Sequence, residues 1–431
     1  MAPNLARPAF ALVSMEGPDQ YSQVGGLGVR VTQLSRALVA AGHPARVYFV
    51  GDPALPAEEL SEGVELRRVG QEISRQFPGG VYEGQRLKAS YLAARLPAEL
   101  VVGWALPQLE LGRAPVLLFE DWQTADWAGR THRLLSERGI ADRCLLVWNA
   151  NNQFGFGEMD WIGLEEAAGI TTISRYMRLL VEGFGVEPIV IPNGIPAELL
   201  LAVDQGDVMA LRRAAGRQVL LKIGRFHPDK SWLQAVRALG ELRAAGLPVR
   251  MLARGGNEAY RSEVIEAAVG CGLRVRRWEE PVEGVSDLVR ALQATPDADL
   301  LELARFLPEE LLPVLYASSM AVLANSEFEP FGLVGLETMA AGGVAVVGAT
   351  GEDYARHLHN SLVIETSSPS ELAQSIARLA SDPGRAERIR RAAREMAAAY
   401  CWPQVVKGDL LPRLPLLARR RRGGWAGAGP P

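Results

Sequence analysis

Histidine and cysteine are scarce in this chain of 431 residues, which holds five of the first and three of the second. Cys144, Cys271 and Cys401 are odd in number and far apart, so neither a disulfide framework nor a CxxC metal knuckle can be assembled. A reducing, cytoplasmic setting is expected. An excess of one charge is also missing: 46 Lys and Arg face 50 Asp and Glu, a net −4, which argues against a nucleic acid or another polyanion as partner. No apolar run reaches the ~20 residues of a membrane span, and the first residues, MAPNLARPAF, lack the basic segment and long apolar run of a secretory leader. What the chain does have is glycine and proline, 44 and 27 residues, the punctuation of many strand-loop-helix junctions. With 48% hydrophobic residues and about three times the usual length of one domain, two sizeable domains are the default.

Apolar strands alternate with helical patterns from the start. Residues 9–14 read as a strand, 29–41 carry helical spacing at Val31, Leu34, Leu38 and Ala41 with Gly42 as a stop, and 46–50 form the next strand. That β-α-β unit implies a parallel sheet covered on both faces. Further strands are expected at 101–104, 116–119, 145–148, 170–173 and 189–191, before the turn-rich segment Pro192-Asn193-Gly194-Ile195-Pro196, which suits a hinge. The alternation then resumes with strand 219–223, a helix over 231–245 capped by Asp229 and ended by Gly246, and strand 249–253. A charged, poorly patterned stretch at 257–310 separates these from strand 320–324, a helix ending at Gly342-Gly343, and strand 344–347. The fold class expected is α/β: two Rossmann-like, doubly wound domains facing across a cleft. The boundaries expected are 1–195, 196–400, a helical segment 401–418 packing back on the first domain, and a disordered tail 419–431 whose arginines would make at most weak peripheral contact with a membrane.

Three loops carry residues suited to chemistry. The stretch 325–337 leaves a strand and opens a helix, so it lies where open parallel sheets bind ligands. Pro330 and Gly332 would let backbone N–H groups approach an anion such as phosphate. Glu329 sits in this loop and Glu337 about 9 Å along the helix from Phe331, so the two carboxylates would bracket a diphosphate and accept hydrogen bonds from sugar hydroxyls. The alternative is a capped helix with two surface glutamates. In the loop 224–230, Arg225 would fork onto two phosphate oxygens while Lys230 supplies a mobile point charge; otherwise both are solvated cations. Gly25-Gly26-Leu27-Gly28, between the first strand and helix, permits close backbone approach to a ligand. It is neither G-x-G-x-x-G nor a P-loop, so a nicotinamide oxidoreductase, for which Asp52 would supply the acidic residue, fits poorly. Asp297-Ala298-Asp299 reads as a solvated turn, and the basic run 274–277 as a solvated face.

Taken in order, Gly25-Gly26-Leu27-Gly28, Ile191-Pro192-Asn193-Gly194-Ile195, Gly224-Arg225 with Lys230, and Glu329-x7-Glu337 with its flanking Pro-Phe-Gly and Met-Ala-Ala-Gly resemble the GT-B glycosyltransferases of family 4 and bacterial glycogen synthases. The resemblance spans about 10–405 and takes in Tyr400-Cys401-Trp402. It implies a retaining, metal-independent transferase without a cofactor, moving a hexose-type unit from a nucleotide diphosphate sugar to a carbohydrate, lipid or small-molecule acceptor. It also implies roles. Arg225 and Lys230 would hold the diphosphate, Glu329 the donor sugar and Glu337 the ribose, with backbone amides near Gly332 and Leu333 assisting and Gly25 and Gly26 near the bond that breaks. Arg225, Lys230 and Glu329 would be the catalytic set. One departure matters: where glycogen-synthase-like relatives carry His-Asp-Trp-His, this chain has Glu120-Asp121-Trp122-Gln123. The missing histidines admit an alternative, a catalytically weak nucleotide-sugar-binding protein. Glu120, Asp121, Asn151 and Asn152 are expected to line the acceptor or sugar side from the first domain, where amides and aromatic faces of 148–157 suit sugar recognition.

Overall fold

The computed structural model describes residue 5 and residues 7–420; most of the arginine-rich tail expected to be disordered lies outside the described residues. The chain forms two compact units, one built from residues up to Pro196 together with those from Tyr400 onward, the other from Ala197–Ala399.

The first unit holds strands β1 (Pro8–Val13), β2 (Ala45–Val50), β3 (Glu58–Ser61), β4 (Val64–Val69), β5 (Ala114–Glu120), β6 (Leu145–Ala150), β7 (Gly169–Thr172) and β8 (Ile189–Val190). They form one sheet in the order β3-β4-β2-β1-β5-β6-β7-β8, parallel except for the antiparallel pair at the β3 edge. β1 and β5 are buried at every residue, the consequence of helices on both faces, and for that reason they read as continuous apolar runs. The strand order reverses at β1 and β5, so the loops leaving their carboxyl ends diverge and open a crevice. Residues after Tyr400 complete this unit: Trp402, Val405, Val406, Leu410, Leu414 and Leu417 pack into one core with Phe10, Leu12, Val31, Val116 and Val147. The segment expected as a hinge is built into the same unit. Ile195 is fully buried and its amide donates to the Tyr400 carbonyl at 3.0 Å, while Trp402 returns a bond to Ile195 at 2.9 Å. Gly194 is needed there because a Cβ would stand 2.5 Å from the Trp402 ring.

The second unit holds β9 (Gln218–Ile223), β10 (Val249–Arg254), β11 (Val275–Trp278), β12 (Leu300–Leu303), β13 (Ala321–Ala324), β14 (Ala345–Val347) and β15 (Leu362–Val363) in the order β11-β12-β10-β9-β13-β14-β15, all parallel. Its order reverses at β9 and β13, which pair through Ala321 with Leu220 and Val322 with Leu221. The crevice of this sheet is therefore walled by the loops after those two strands.

Several local expectations are corrected. Residues 101–104 are not a strand but part of the π-helical turn Glu99–Ala105, because burial at Leu100, Val101, Trp104 and Ala105 follows a helical period and leaves Val102 exposed. The poorly patterned stretch 257–310 is regular: it holds helices Arg261–Gly270 and Val285–Ala294 with β11 and β12. Asp229 does not cap the helix Trp232–Ala244; it sits in the 3-10 turn Pro228–Lys230 with its carboxylate 2.6 Å from His227 Nδ1, and Ser231, at φ 50°, precedes the helix. Asp299 is no solvated turn residue either. It is buried, and its carboxylate meets Arg217 at 2.8 Å, Arg274 at 3.1 Å and Arg243 at 3.3 Å. Burial opposes its ionisation, but the Arg274 and Arg217 hydrogen bonds overcome that and hold it well below the usual carboxylate range.

Candidate active site

In the second unit the crevice is made by the loop 224–230 after β9 and the loop 325–332 after β13. Adjacent strands deliver Lys230 and Glu329 to one place, where Lys230 Nζ stands 2.8 Å from Glu329 Oε2. Both side chains are about a quarter exposed or less, so the pair is reachable yet poorly solvated. Arg225 is exposed, its side chain has no hydrogen bond or ion pair among the described residues, and it does not join the pair. Glu329 is held from behind: its amide donates to Thr350 Oγ1 at 2.9 Å, and that hydroxyl donates back to the Glu329 carbonyl at 3.2 Å.

Gly332 caps the helix Leu333–Ala340 with φ +82°, a conformation that costs other residues energy, and a Cβ would meet Glu352 Cγ at 2.8 Å. Tyr354 donates its hydroxyl to the Gly332 carbonyl, fixing this turn beside Leu333 at the helix start. Glu337, on the same helix, does not meet Glu329; it accepts from the Tyr316 hydroxyl at 3.2 Å. Burial pushes its carboxyl up to about 7, the Tyr316 bond opposing and the charge of Glu309 adding. At neutral pH it is therefore partly protonated and can donate as well as accept.

Two residues of this crevice escaped the sequence reading. Lys222 lies within β9, buried, with Nζ 2.7 Å from Asn325 Oδ1 and 3.1 Å from the Leu323 carbonyl, so it ties β9 to the end of β13 beneath the Lys230–Glu329 pair. Burial, reinforced by the charge of Lys230, pulls its ammonium down to about 7. The available signal was a lysine inside the apolar run Val-Leu-Leu-Lys-Ile. Glu352 accepts from the Thr350 amide at 3.1 Å, and its Oε1 is buried with no partner among the described residues. Burial and then the nearby Glu329 push it up to about 7 against opposing backbone hydrogen bonds.

In the first unit the crevice lies beyond β1 and β5. Gly25 and Gly26 are exposed at the start of the helix Gly26–Ala40, and the amides of this turn already have an anion. Glu16 Oε2 accepts from Gly25 and Gly28 at 3.0 Å and from Val24 at 3.2 Å, while Tyr82 donates to Oε1. The glycine turn is thus filled by the chain's own carboxylate instead of standing open for phosphate, although the space above Gly25 is clear. Sequence spacing could have suggested this partner, since Glu16 stands just past the carboxyl end of β1 at Val13.

Glu120 does not line the crevice. It is 1% exposed, pairs with Arg30 at 3.1 Å, and accepts from Asn149 at 2.9 Å and Asn151 at 2.7 Å. Arg30 in turn donates to Asn193 and lies over the Trp402 ring, so Glu120 anchors the C-terminal segment. Asp121 differs. Its backbone takes φ 64°, ψ 171°, a region close to glycine-only, and its buried carboxylate accepts from the Asn151 amide at 2.8 Å and Asn152 Nδ2 at 2.6 Å. Burial pushes it up to about 7 despite those bonds, with Glu120 and Glu16 adding repulsion. Asn151 and Asn152 are half-buried at the crevice, bound to these acids.

Two doubly wound sheets with ligand loops at their switch points define a GT-B architecture, and comparison with known proteins agrees. Residues 283–396 match the family described as glycosyl transferases group 1. The chain is 24% identical over 417 residues to an uncharacterized glycosyltransferase of Methanocaldococcus jannaschii, covering 92% of this chain and 96% of that protein. It is 28% identical over 421 residues to a glycogen synthase of Mycobacterium tuberculosis, covering 91% of each. Among solved structures, the catalytic domain of starch synthase IV from Arabidopsis thaliana, bound to ADP and acarbose, superposes with a TM-score of 0.68 at 16% identity, over 96% of this chain and 99% of that one. The fold is GT-B, and the comparisons support a group 1 glycosyltransferase of the family-4-like group.

Proposed function

We propose that the chain moves a hexosyl unit from a nucleotide diphosphate sugar to an acceptor hydroxyl with retention and without a metal ion. The reading rests above all on the Lys230–Glu329 pair, delivered by adjacent strands to the crevice of the second unit at 2.8 Å. A diphosphate entering there competes with Glu329 for the Lys230 ammonium. Lys230 and the unpaired Arg225 then neutralise the charge that grows on the leaving nucleoside diphosphate, while Glu329, freed of its partner, accepts from donor hydroxyls. Glu337 binds the ribose. Acceptor recognition is assigned to Asp121, Asn151 and Asn152 of the first unit. The ADP held by the starch synthase neighbour is consistent with a nucleotide diphosphate here.

A thermal-shift series with UDP-, ADP-, GDP- and TDP-sugars should raise the melting temperature for at least one base, since a ligand that binds only the folded state stabilises it. With the responding donor, Lys230→Ala should lower kcat/KM by about 100-fold or more, and Glu337→Ala by less than about tenfold, because leaving-group charge develops in the transition state whereas the ribose contact is equal before and during reaction. Equal losses would defeat this division of roles. A second reading, a nucleotide-sugar binder with little turnover, is favoured by Glu120, which stands where the resemblance to glycogen synthases implies a histidine and is committed to Arg30. Donor binding without hydrolysis or transfer over a panel of sugars, lipids and polyols would select it.

A further inference from the structure

A cavity of about 480 Å³ opens in the second unit at the opposite end of the sheet from the Lys230–Glu329 pair. Its wall includes Gln218, the first residue of β9, Pro248 just before β10 and Met320 just before β13, so it lies at the amino ends of those strands. A volume in the range of about 300–1,000 Å³ is that of small-ligand sites. Much of the lining is aliphatic, with Leu211, Leu315, Met320 and Leu379 prominent.

The charge on the wall is of one sign. Arg212, Arg217 and Arg390 line it, and among the described residues no aspartate or glutamate does. Arg217 is neutralised from outside the cavity by Asp299 at 2.8 Å. Among the described residues Arg212 has only the carbonyls of Ala317 and Ser318, and Arg390 only a distant Glu387 at 3.9 Å on a largely exposed side chain. Arg390 Nε is buried with no hydrogen-bond partner among the described residues. Two residues beyond Pro248, the buried Arg250 also has Nε and Nη1 without partners. Unpaired guanidinium N–H groups withdrawn from water are costly, and the nearby charge of the exposed Arg212 adds to the cost at Arg390 unless an anion joins the two.

We infer that this cavity is a second binding site, separate from the donor site, for a small amphiphilic organic anion whose phosphate or carboxylate head bonds Arg390 and Arg212 and whose aliphatic body lies on the leucine and methionine side chains. Such a site is independent of the identity of the transferred sugar and of transfer itself.

The test is calorimetric titration of the full chain with hexyl phosphate, in the presence of saturating nucleotide diphosphate to fill the donor crevice, with hexanoate, inorganic phosphate and hexanol as comparators. Hexyl phosphate or hexanoate should bind saturably at one site, and whichever head binds tighter identifies the anion. Inorganic phosphate and hexanol, each lacking one half of the ligand, should bind at least about tenfold more weakly, the loss of one charge-assisted bond or of the apolar contact. Arg390→Gln should reduce hexyl phosphate affinity about tenfold and leave nucleotide binding unchanged. The same variant should melt at the wild-type temperature or above when ligand-free, because it removes a half-buried guanidinium whose Nε has no partner among the described residues; a purely structural Arg390 would instead give a lower melting temperature. Absence of saturable binding by either amphiphile, equal binding of inorganic phosphate, or unchanged affinity in Arg390→Gln would each overturn the assignment.

Discussion

Glu337 illustrates how burial writes a pH dependence into single residues. Its carboxyl is raised from 4.5 to about 7, so between those values the folded chain holds a proton that the unfolded chain has released. Stability from this residue is therefore full below about pH 4.5 and is lost as the pH rises to 7. Glu352, raised from 4.5 to about 7, and Asp121, raised from 3.8 to about 7, act in the same direction. Lys222 acts oppositely: lowered from 10.5 to about 7, it releases its proton earlier in the folded chain, so its contribution improves as the pH rises from 7 to 10.5. Glu337→Gln should accordingly melt progressively higher than the parent as the pH is raised from 5 to 8, with the two nearly equal at the acid end. A pH-independent difference in melting temperature would show that Tyr316 packing, not the proton, governs the effect.

At the scale of elements, the residues after Tyr400 are part of the first unit's core. Trp402→Ala removes a buried indole that packs on Gly194 and beneath Arg30, and should cost about 3–5 kcal/mol in denaturant unfolding of that unit. A loss below about 1 kcal/mol would mean that the segment adds little. What was readable in advance follows from burial. Strands covered on both faces, such as β1 and β5, are apolar throughout and stand out in the sequence; edge strands such as β3, with sequence EELS, and β11, with VRRW, carry exposed charges and do not. The π-helical turn at Glu99–Ala105 was misread because a few apolar residues fit either period. In the crevices, Lys230 and Glu329 were legible because each follows a strand and precedes a helix. Their partners were not. The commitment of Gly25 to Glu16, of Glu120 to Arg30 and of Asp299 to Arg217 depends on contacts between segments that no local pattern registers.

For the molecule as a whole, two units with separate cores predict a resolvable response to ligand. A nucleotide diphosphate at 100 times its dissociation constant should add about 2.7 kcal/mol to the unit Ala197–Ala399, seen as slower hydrogen exchange in β9 and β13. Protection confined to β1 and β5 would place the nucleotide on the wrong unit. The path of the chain has a consequence for synthesis. The first unit's sheet is complete by Val190, yet Trp402 and the residues that cover it come after the whole of the second unit. At about 5–20 residues per second, the roughly 200 intervening residues take about 10–40 s to emerge. The second unit is contiguous and can close as soon as Ala399 is available. The half of the protein that leaves the ribosome first therefore cannot bury Phe10, Leu12 and Val31 together with Trp402 until the whole of the second unit has been made.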